Sequence, residues 1–292
     1  MEYLGNTKQV NQIEPLVSVC VPTFQHILYI QKCLDSILSQ KTDFPFELII
    51  GEDDSTDGTR EICIRYAEQN QDKIRLFLRR EEDKLILNGR KSGRLNHLGL
   101  YRSVRGKYVC ICDGDDYWVD DQKLQIQVDM MEKYPDASLC ITDTIIKGDS
   151  TGRPAGLPDD FRIFTPHDLR KKNYFGHISS WMMRNKMMEL LSNDVVMKTE
   201  ILDMVLFTFY KINGNTIYLP KITSVYNLNP NGIFRSKSSK QNHKVIMKIN
   251  WYLFYHLHKN PVQFIRTLIF QMRRYFVNFI IPEKLKNRFG SD

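Results

Sequence analysis

Four apolar runs of five or six residues punctuate the first part of the chain, and a helix-period pattern follows each one. The runs cover residues 16–21, 46–50, 74–78 and 108–112. Ile27, Ile30, Leu34, Ile37 and Leu38 predict a first helix that closes near Gln40, and Ile62, Tyr66 and Ala67 a second. Residues 95–104 and 121–134 predict two more. A further strand is expected at 137–142. Strand and helix in alternation predict an α/β, Rossmann-like, mostly parallel sheet with helices on both faces, and such sheets bind ligands at the carboxyl ends of their strands.

Carboxylates crowd those ends. Glu52, Asp53 and Asp54 follow the second run, Asp57 stands beside them, and Asp113, Asp115 and Asp116 follow the fourth. Like charges gathered without cations repel, so such a cluster holds a divalent metal or is kept apart by hydrogen bonds. A nucleoside diphosphate leaving group is one that needs a metal, because a cation bridging its phosphates stabilises the charge that develops.

The formal charge of +7 looks like a nucleic-acid signal but is confined to one region. From Lys240 onward there are ten Lys/Arg and two Asp/Glu, which leaves 31 basic against 32 acidic residues before it. The tail's aromatics fall in apolar clusters and not in a basic-aromatic groove, so no nucleic-acid partner is expected. Six cysteines (20, 33, 63, 110, 112 and 140) lie in apolar runs or helical patterns, with no CxxC pair or zinc spacing, and read as reduced core residues. Residues 1–14 are polar, without a secretory pattern, and no stretch of 18 uncharged apolar residues follows. The expected compartment is the cytoplasm, peripheral on the cytosolic face of a membrane included.

Four segments taken together carry a resemblance: Val17-Ser-Val-Cys-Val-Pro22-Thr23-Phe24, Glu47-Leu-Ile-Ile-Gly-Glu52-Asp53-Asp54-Ser55-Thr56-Asp57-Gly58-Thr59, Gly106-Lys-Tyr108 and Asp113-Gly-Asp115-Asp116-Tyr117-Trp118. In this order and spacing the chain resembles the family 2 glycosyltransferases, strongly over 15–140 and more weakly to about 236. The resemblance implies a GT-A fold, a nucleotide-diphospho-sugar donor (usually of uridine or thymidine), Mn²⁺ or Mg²⁺, and inversion at the anomeric carbon. It implies that Pro22, Thr23 and Phe24 line the base pocket with Asp53 contacting the base. Asp54, Arg90, Asp113 and Gly114 join the donor side, and Asp115 of the Asp-x-Asp-like motif binds the metal. Asp116, Trp118, His177, Ser179, Ser180 and Tyr226 fall on the acceptor or diphosphate side. Asp203 is the implied catalytic base, which takes the proton of the acceptor hydroxyl.

Departures from the family pattern are visible. Gln25 stands where an Asn is common, Asp54 replaces a glycine, and Asn227 and Asn229 occupy places where relatives often carry an Arg and a His. The last two changes predict a weakened or rearranged diphosphate site. Plainer readings compete residue by residue: Asp57-Gly58-Thr59 as a turn and helix cap, the Asp-Gly-Asp-Asp run as a solvated turn, Asp203 as a cap or a partner for a lysine, and His177 as a packed core histidine. Arg79, Arg80, Arg90 and Arg94 lie between the acidic motifs, where one can reach a base or a phosphate, the plainer reading of each being a solvated surface charge.

The expected organisation is a polar leader (1–14), a glycosyltransferase domain (15–239) and a basic amphipathic helical tail (240–292). Within the domain, 15–142 form the nucleotide-sugar half and 143–239 the acceptor half. Residues 147–166, rich in Gly, Pro and Asp, are expected as loop and as a candidate lid. Later elements are expected at 179–183, 201–212, 216–219 and 222–226. The tail's broad apolar face with basic edges suits the interface of an anionic bilayer, or packing on the domain or on a second subunit of a homo-oligomer. The reaction expected is transfer of a sugar, UDP-linked by preference, to a hydroxyl of a glycan or lipid-linked glycan acceptor in cell-surface polysaccharide synthesis. Two rivals stand beside it. A sugar nucleotidyltransferase would want a Gly-rich basic loop after strand one, which 21–25 lack. A non-catalytic nucleotide-sugar-binding protein would keep the fold without turnover.

Overall fold

The computed structural model describes residues 2–5, 12–87, 89–148, 152–154, 156–170, 175–228, 239–259 and 261–279. In chain order the strands are β1 (Glu2–Tyr3), β2 (Val17–Thr23), β3 (Phe46–Glu52), β4 (Ile74–Leu78), β5 (Leu85–Leu87), β6 (Arg90–Ser92), β7 (Tyr108–Ile111), β8 (Tyr117–Trp118), β9 (Ala137–Lys147), β10 (Arg162–Phe164), β11 (Trp181–Arg184) and β12 (Asn215–Asn227). The helices are α1 (Ile30–Leu38), α2 (Thr59–Gln69), α3 (Arg94–Ser103), α4 (Lys123–Lys133), α5 (Met187–Leu191), α6 (Val195–Lys198), α7 (Leu202–Ile212), α8 (Ser239–Leu253) and α9 (Pro261–Phe279). The expected α/β architecture is what is found.

Among the described residues ten strands form one sheet, in the order β1-β4-β3-β2-β7-β11-β9-β12-β10, with β8 on β12. β4, β3, β2 and β7 pair in parallel, and β9 and β12 run with them, because the antiparallel β11 sits between β7 and β9. Every residue of β2 and β3 is buried. Val17, Val19 and Val21 pack under α1, α2 and α4, while Cys20 and Ile49 meet α3 and α7 on the other face. Strands apolar on both faces are what a sheet covered by helices on both sides requires.

The second half departs from the expected boundaries. β9 runs on to Lys147, and the expected 147–166 loop contains β10, which pairs with β12 through Ile163 and Ile217. The segments 216–219 and 222–226 are one strand, β12, with register shifts between Tyr218 and Ser224. Pro220 lies there, and a residue without an N–H is tolerated in a strand where the ladder is already broken. β5 and β6 form a separate hairpin that was not expected. In the tail, Ile249 and Leu253 of α8 are buried against the core that holds α7, and a π-helical turn (Phe254–His258) leads to α9.

Candidate active site

The last residues of β2 moor both acidic loops. The Asp53 N–H donates to the Thr23 carbonyl at 3.1 Å, and the Gly114 N–H donates to the Pro22 carbonyl at 3.0 Å. Parallel registry puts Thr23 opposite Glu52 and Cys20 opposite Ile111, so β2, β3 and β7 deliver their loops to one side of the sheet. Gly114 is needed at this crossing: a Cβ there would sit 2.5 Å from Thr23 Oγ1 and 2.8 Å from His26 Nδ1.

Around Asp53 the site is aromatic and basic. Phe24 is 42% exposed, and the Lys84 ammonium lies 3.8 Å from its ring centre. Burial pushes the Asp53 carboxyl up to about 6 against the attraction of Lys84. Gly93 closes on it, since a Cβ there would stand 3.2 Å from Asp53 Oδ2. Asp54 is turned away from this pocket. Its carboxylate pairs with Arg60 at 3.2 Å and accepts from the Glu81 N–H at 2.9 Å. Asp57 accepts from the backbone N–H groups of Ile27 and Thr59, the latter at the start of α2. Arg90 is exposed beside the turn of the β5–β6 hairpin.

Asp116 is 1% exposed and bound into the frame. Ser179 Oγ donates to it at 2.5 Å and the Asn227 N–H at 3.1 Å, while the Asn227 side chain donates to the Asp115 carbonyl at 2.6 Å. Trp118 is buried, and its Nε1–H donates to the Ser179 carbonyl at 2.9 Å. Ser180 is also buried and donates to the His177 carbonyl at 2.7 Å, a contact within its own turn. Asn227 thus ties the acidic loop to the end of β12. Asn229 lies outside the described residues.

Four carboxylates share one field. Burial first, then Asp116, Asp115 and Asp203, hold Asp113 well above the usual carboxylate range. Burial and Asp115 do the same to Asp116, with Asp203 adding to them and the donors Ser179 and Asn227 opposing them. Tyr226 is pushed up to about 12 by burial and by Asp116, Asp115, Asp113 and Asp203. Its ring stacks on His177, centroids 4.0 Å apart. Burial lowers the His177 imidazole to about 3, so it is neutral and its Nδ1 accepts from the Ser179 N–H at 3.3 Å.

Asp203 stands in the first turn of α7, where burial raises its carboxyl to about 6 and Arg94 draws it back. Arg94 is itself 4% exposed. Its Nη2 donates to the Thr199 carbonyl at 2.6 Å, whereas Nε and Nη1 are buried without a hydrogen-bond partner among the described residues. Such donors cost free energy unless something polar meets them. Asp115 faces His26, Oδ2 to Nε2 3.7 Å, and burial lowers the His26 imidazole.

Sequence reasoning passed over Lys84, His26 and the depth of Arg94. A signal for Arg94 existed: with Leu98 and Tyr101 it falls at i, i+4 and i+7 on a buried helix face. Among the described residues no three His, Cys, Asp or Glu side chains converge as a metal cage. A magnesium-like ion needs less, since one or two carboxylates suffice when substrate phosphates supply the other oxygens.

Comparison with known proteins agrees with this geometry. The chain is 27% identical over 209 residues to an uncharacterized protein of Mycobacterium tuberculosis, covering 71% of this chain and 57% of the relative. It therefore spans little more than half the length of that relative. It is 33% identical over 118 residues to the putative teichuronic acid biosynthesis glycosyltransferase TuaG of Bacillus subtilis, covering 40% of this chain and 42% of the relative. Among solved structures, S. aureus TarS (1-349) in complex with UDP-GlcNAc superposes with a TM-score of 0.62 at 17% identity, over 94% of this chain and 78% of that one. The mannosyltransferase PcManGT from Pyrobaculum calidifontis, in complex with GDP-Man and Mn²⁺, gives 0.57 at 18% identity, over 92% and 71%. At such identities the likeness speaks for the fold, which is that of the GT-A glycosyltransferases. The model of the family described as "Glycosyl transferase family 2" matches residues 18–191, more than half of the sequence, and the chain belongs to that family.

Proposed function

We propose that the chain is an inverting glycosyltransferase that moves a sugar from a nucleotide diphosphate, UDP by preference, to a hydroxyl of a glycan or lipid-linked glycan in polysaccharide synthesis. The observation that carries this reading is the setting of Asp203: a carboxyl raised to about 6, on a helix start, in one electrostatic field with Asp113, Asp116 and Tyr226. A general base works best when its pKa lies near the working pH, and a carboxylate tuned upward towards neutrality meets that condition.

In the proposed reaction the base of the donor rests on Phe24, beside Pro22 and Thr23, with Asp53 accepting from its ring N–H. The buried, unpartnered Nε and Nη1 of Arg94 face the diphosphate charge, the role left open by the asparagine at 227. Asp115 would hold a divalent metal, because Asp116 is already committed to Ser179 and Asn227. Bound there, Mg²⁺ or Mn²⁺ supplies charge stabilisation to the leaving group. Asp203 takes the acceptor proton as that oxygen bonds to the anomeric carbon. The bond from carbon to phosphate oxygen breaks on the opposite face, and its electron pair leaves with the nucleoside diphosphate. His177, stacked on Tyr226, borders the acceptor side as a neutral group.

The names of TuaG and TarS's ligand support the polysaccharide and UDP-sugar parts of this reading. Six free, buried thiols support a reducing compartment. The test is transfer from labelled nucleotide sugars with and without Mn²⁺ or Mg²⁺. Asp203→Asn is expected to keep donor binding by calorimetry and lose transfer, and Asp115→Ala to lose metal-dependent turnover. Wild-type transfer in both variants would end the proposal.

A further inference from the structure

Helix α9 has two apolar faces, and α8 accounts for one. On the inner face Phe264 stacks on Phe254 at 4.4 Å between ring centres and meets Trp251 at 5.3 Å, while Gln271 is buried. The second face is Val262, Ile265, Ile269, Met272 and Phe276, each between 50 and 61% exposed. Spacings of three and four residues put all five on one line, about 20 Å long at 1.5 Å per residue. His243 and Met247 of α8 join Ile269, Met272 and Phe276 in lining an open groove beside it.

The charge around this stripe has one sign. Between residues 239 and 279 there are seven Lys/Arg and no Asp or Glu. Arg266 and Arg273, one heptad apart and both exposed, border the stripe along one edge. Lys244 and Lys248 of α8 are exposed, and so are the rings of Trp251, at the edge of the α8–α9 contact, and of Tyr255 in the π-helical turn. A stripe spaced like this can be a seam between two helices. A second copy of the hairpin, however, would bring lysines and arginines against their own kind with no carboxylate to pair them.

We propose that the α8–α9 hairpin docks the protein on an anionic lipid bilayer, with the Val262–Phe276 stripe in the acyl boundary and the basic side chains among the headgroups. A bilayer surface satisfies both features at once: it covers the apolar line, and its negative potential attracts the basic border. Indole and phenol rings at positions 251 and 255 are side chains that favour the headgroup level. The helix lies in the plane of the interface, since among the described residues no helix is long and apolar enough to cross a membrane. The docking surface stands independently of which sugar is transferred.

The intact chain offers its own reporter. Trp118 and Trp181 are buried and Trp251 is 53% exposed, so a change in indole emission on adding vesicles reports Trp251. Vesicles of phosphatidylglycerol and phosphatidylcholine in equal parts are expected to shift the emission to the blue and to co-sediment with the protein. Pure phosphatidylcholine vesicles are expected to do neither, and Trp251→Phe to bind while losing the shift. Raising salt to about 0.5 M should weaken binding about tenfold. Ile265→Ser/Ile269→Ser/Met272→Ser should weaken it by a similar factor or more with donor binding unchanged. If that variant fails to fold, Arg266→Glu/Arg273→Glu tests the same surface through charge alone. Equal binding to neutral vesicles, or no binding to anionic ones, overturns the proposal. So does a triple variant that turns a dimer into a monomer in light scattering while vesicle binding persists, because the stripe would then be a seam between copies.

Discussion

Arg94 holds down the carboxyl of Asp203: burial lifts that acid to about 6, and the guanidinium supplies the opposing attraction. Arg94→Met should let the acid rise further. The acid limb of the pH profile of kcat/KM should then move to higher pH, because the base must be ionised to act. The rate at neutral pH should fall about 100-fold, the scale of losing one pre-organised charge contact. A rate loss with an unmoved limb would mean that Arg94 acts on the donor alone.

Two carboxyls are held near 6, and their effects separate kinetically. If Asp203 is the base of the proposed mechanism, kcat should climb as pH rises through about 6. In the proposed mechanism Asp53 accepts from the donor, so protonating it should increase the donor KM as pH falls through about 6. Measuring kcat and KM separately between pH 5 and about 8 tests both, and Asp53→Asn should flatten only the KM profile.

Ionised Asp203 is a cost to the fold. Its folded-state pKa lies above the unfolded one, so the stability linked to it is full below the unfolded value and is lost as pH rises through about 6. Asp203→Asn, expected to lose transfer, should therefore be more stable than the wild type at neutral pH by roughly 3 kcal/mol. Urea unfolding at low and neutral pH should show the gap opening as pH rises.

Ser179 and Asn227 both donate to the buried Asp116 carboxyl, and they oppose the rise that burial and Asp115 impose on it. Ser179→Ala removes one of them and should destabilise the fold by about 1 kcal/mol, the scale of a buried hydrogen bond. Transfer should fall more than stability explains, because the loop that carries Asp115 is pinned through Asp116. Thermal unfolding beside steady-state rates on one preparation distinguishes the two losses.

Much of the fold from β2 to β7 was readable because local rules agree there. Val17, Val19 and Val21 sit in an apolar run too short for a helix, and the acidic loops mark where strands stop, although β2 runs one residue past Pro22. The β5–β6 hairpin was missed although Asn88-Gly89 is a strong hairpin signal. The apolar run beside it, Leu85-Ile86-Leu87, is half-exposed and gives no core face to recognise. Lys84 reads as one more charge in a charged stretch, and its place over Phe24 depends on how that hairpin folds back. The continuity of β12 was hidden by Pro220, whose sequence meaning is a stop but whose position is a bulge. Asn227 looked like a lost ligand because sequence shows what is replaced and not what the replacement holds.

The mooring of both acidic loops on Pro22 and Thr23 has a consequence for how such an enzyme diversifies. On the proposed mechanism, grip on the nucleotide and control of its departure would hang from neighbouring carbonyls of a single strand, so a shift of one loop would drag the other. A change of sugar or acceptor would then fall on β12, α7 and the turn at His177 at less cost to the frame than on the end of β2.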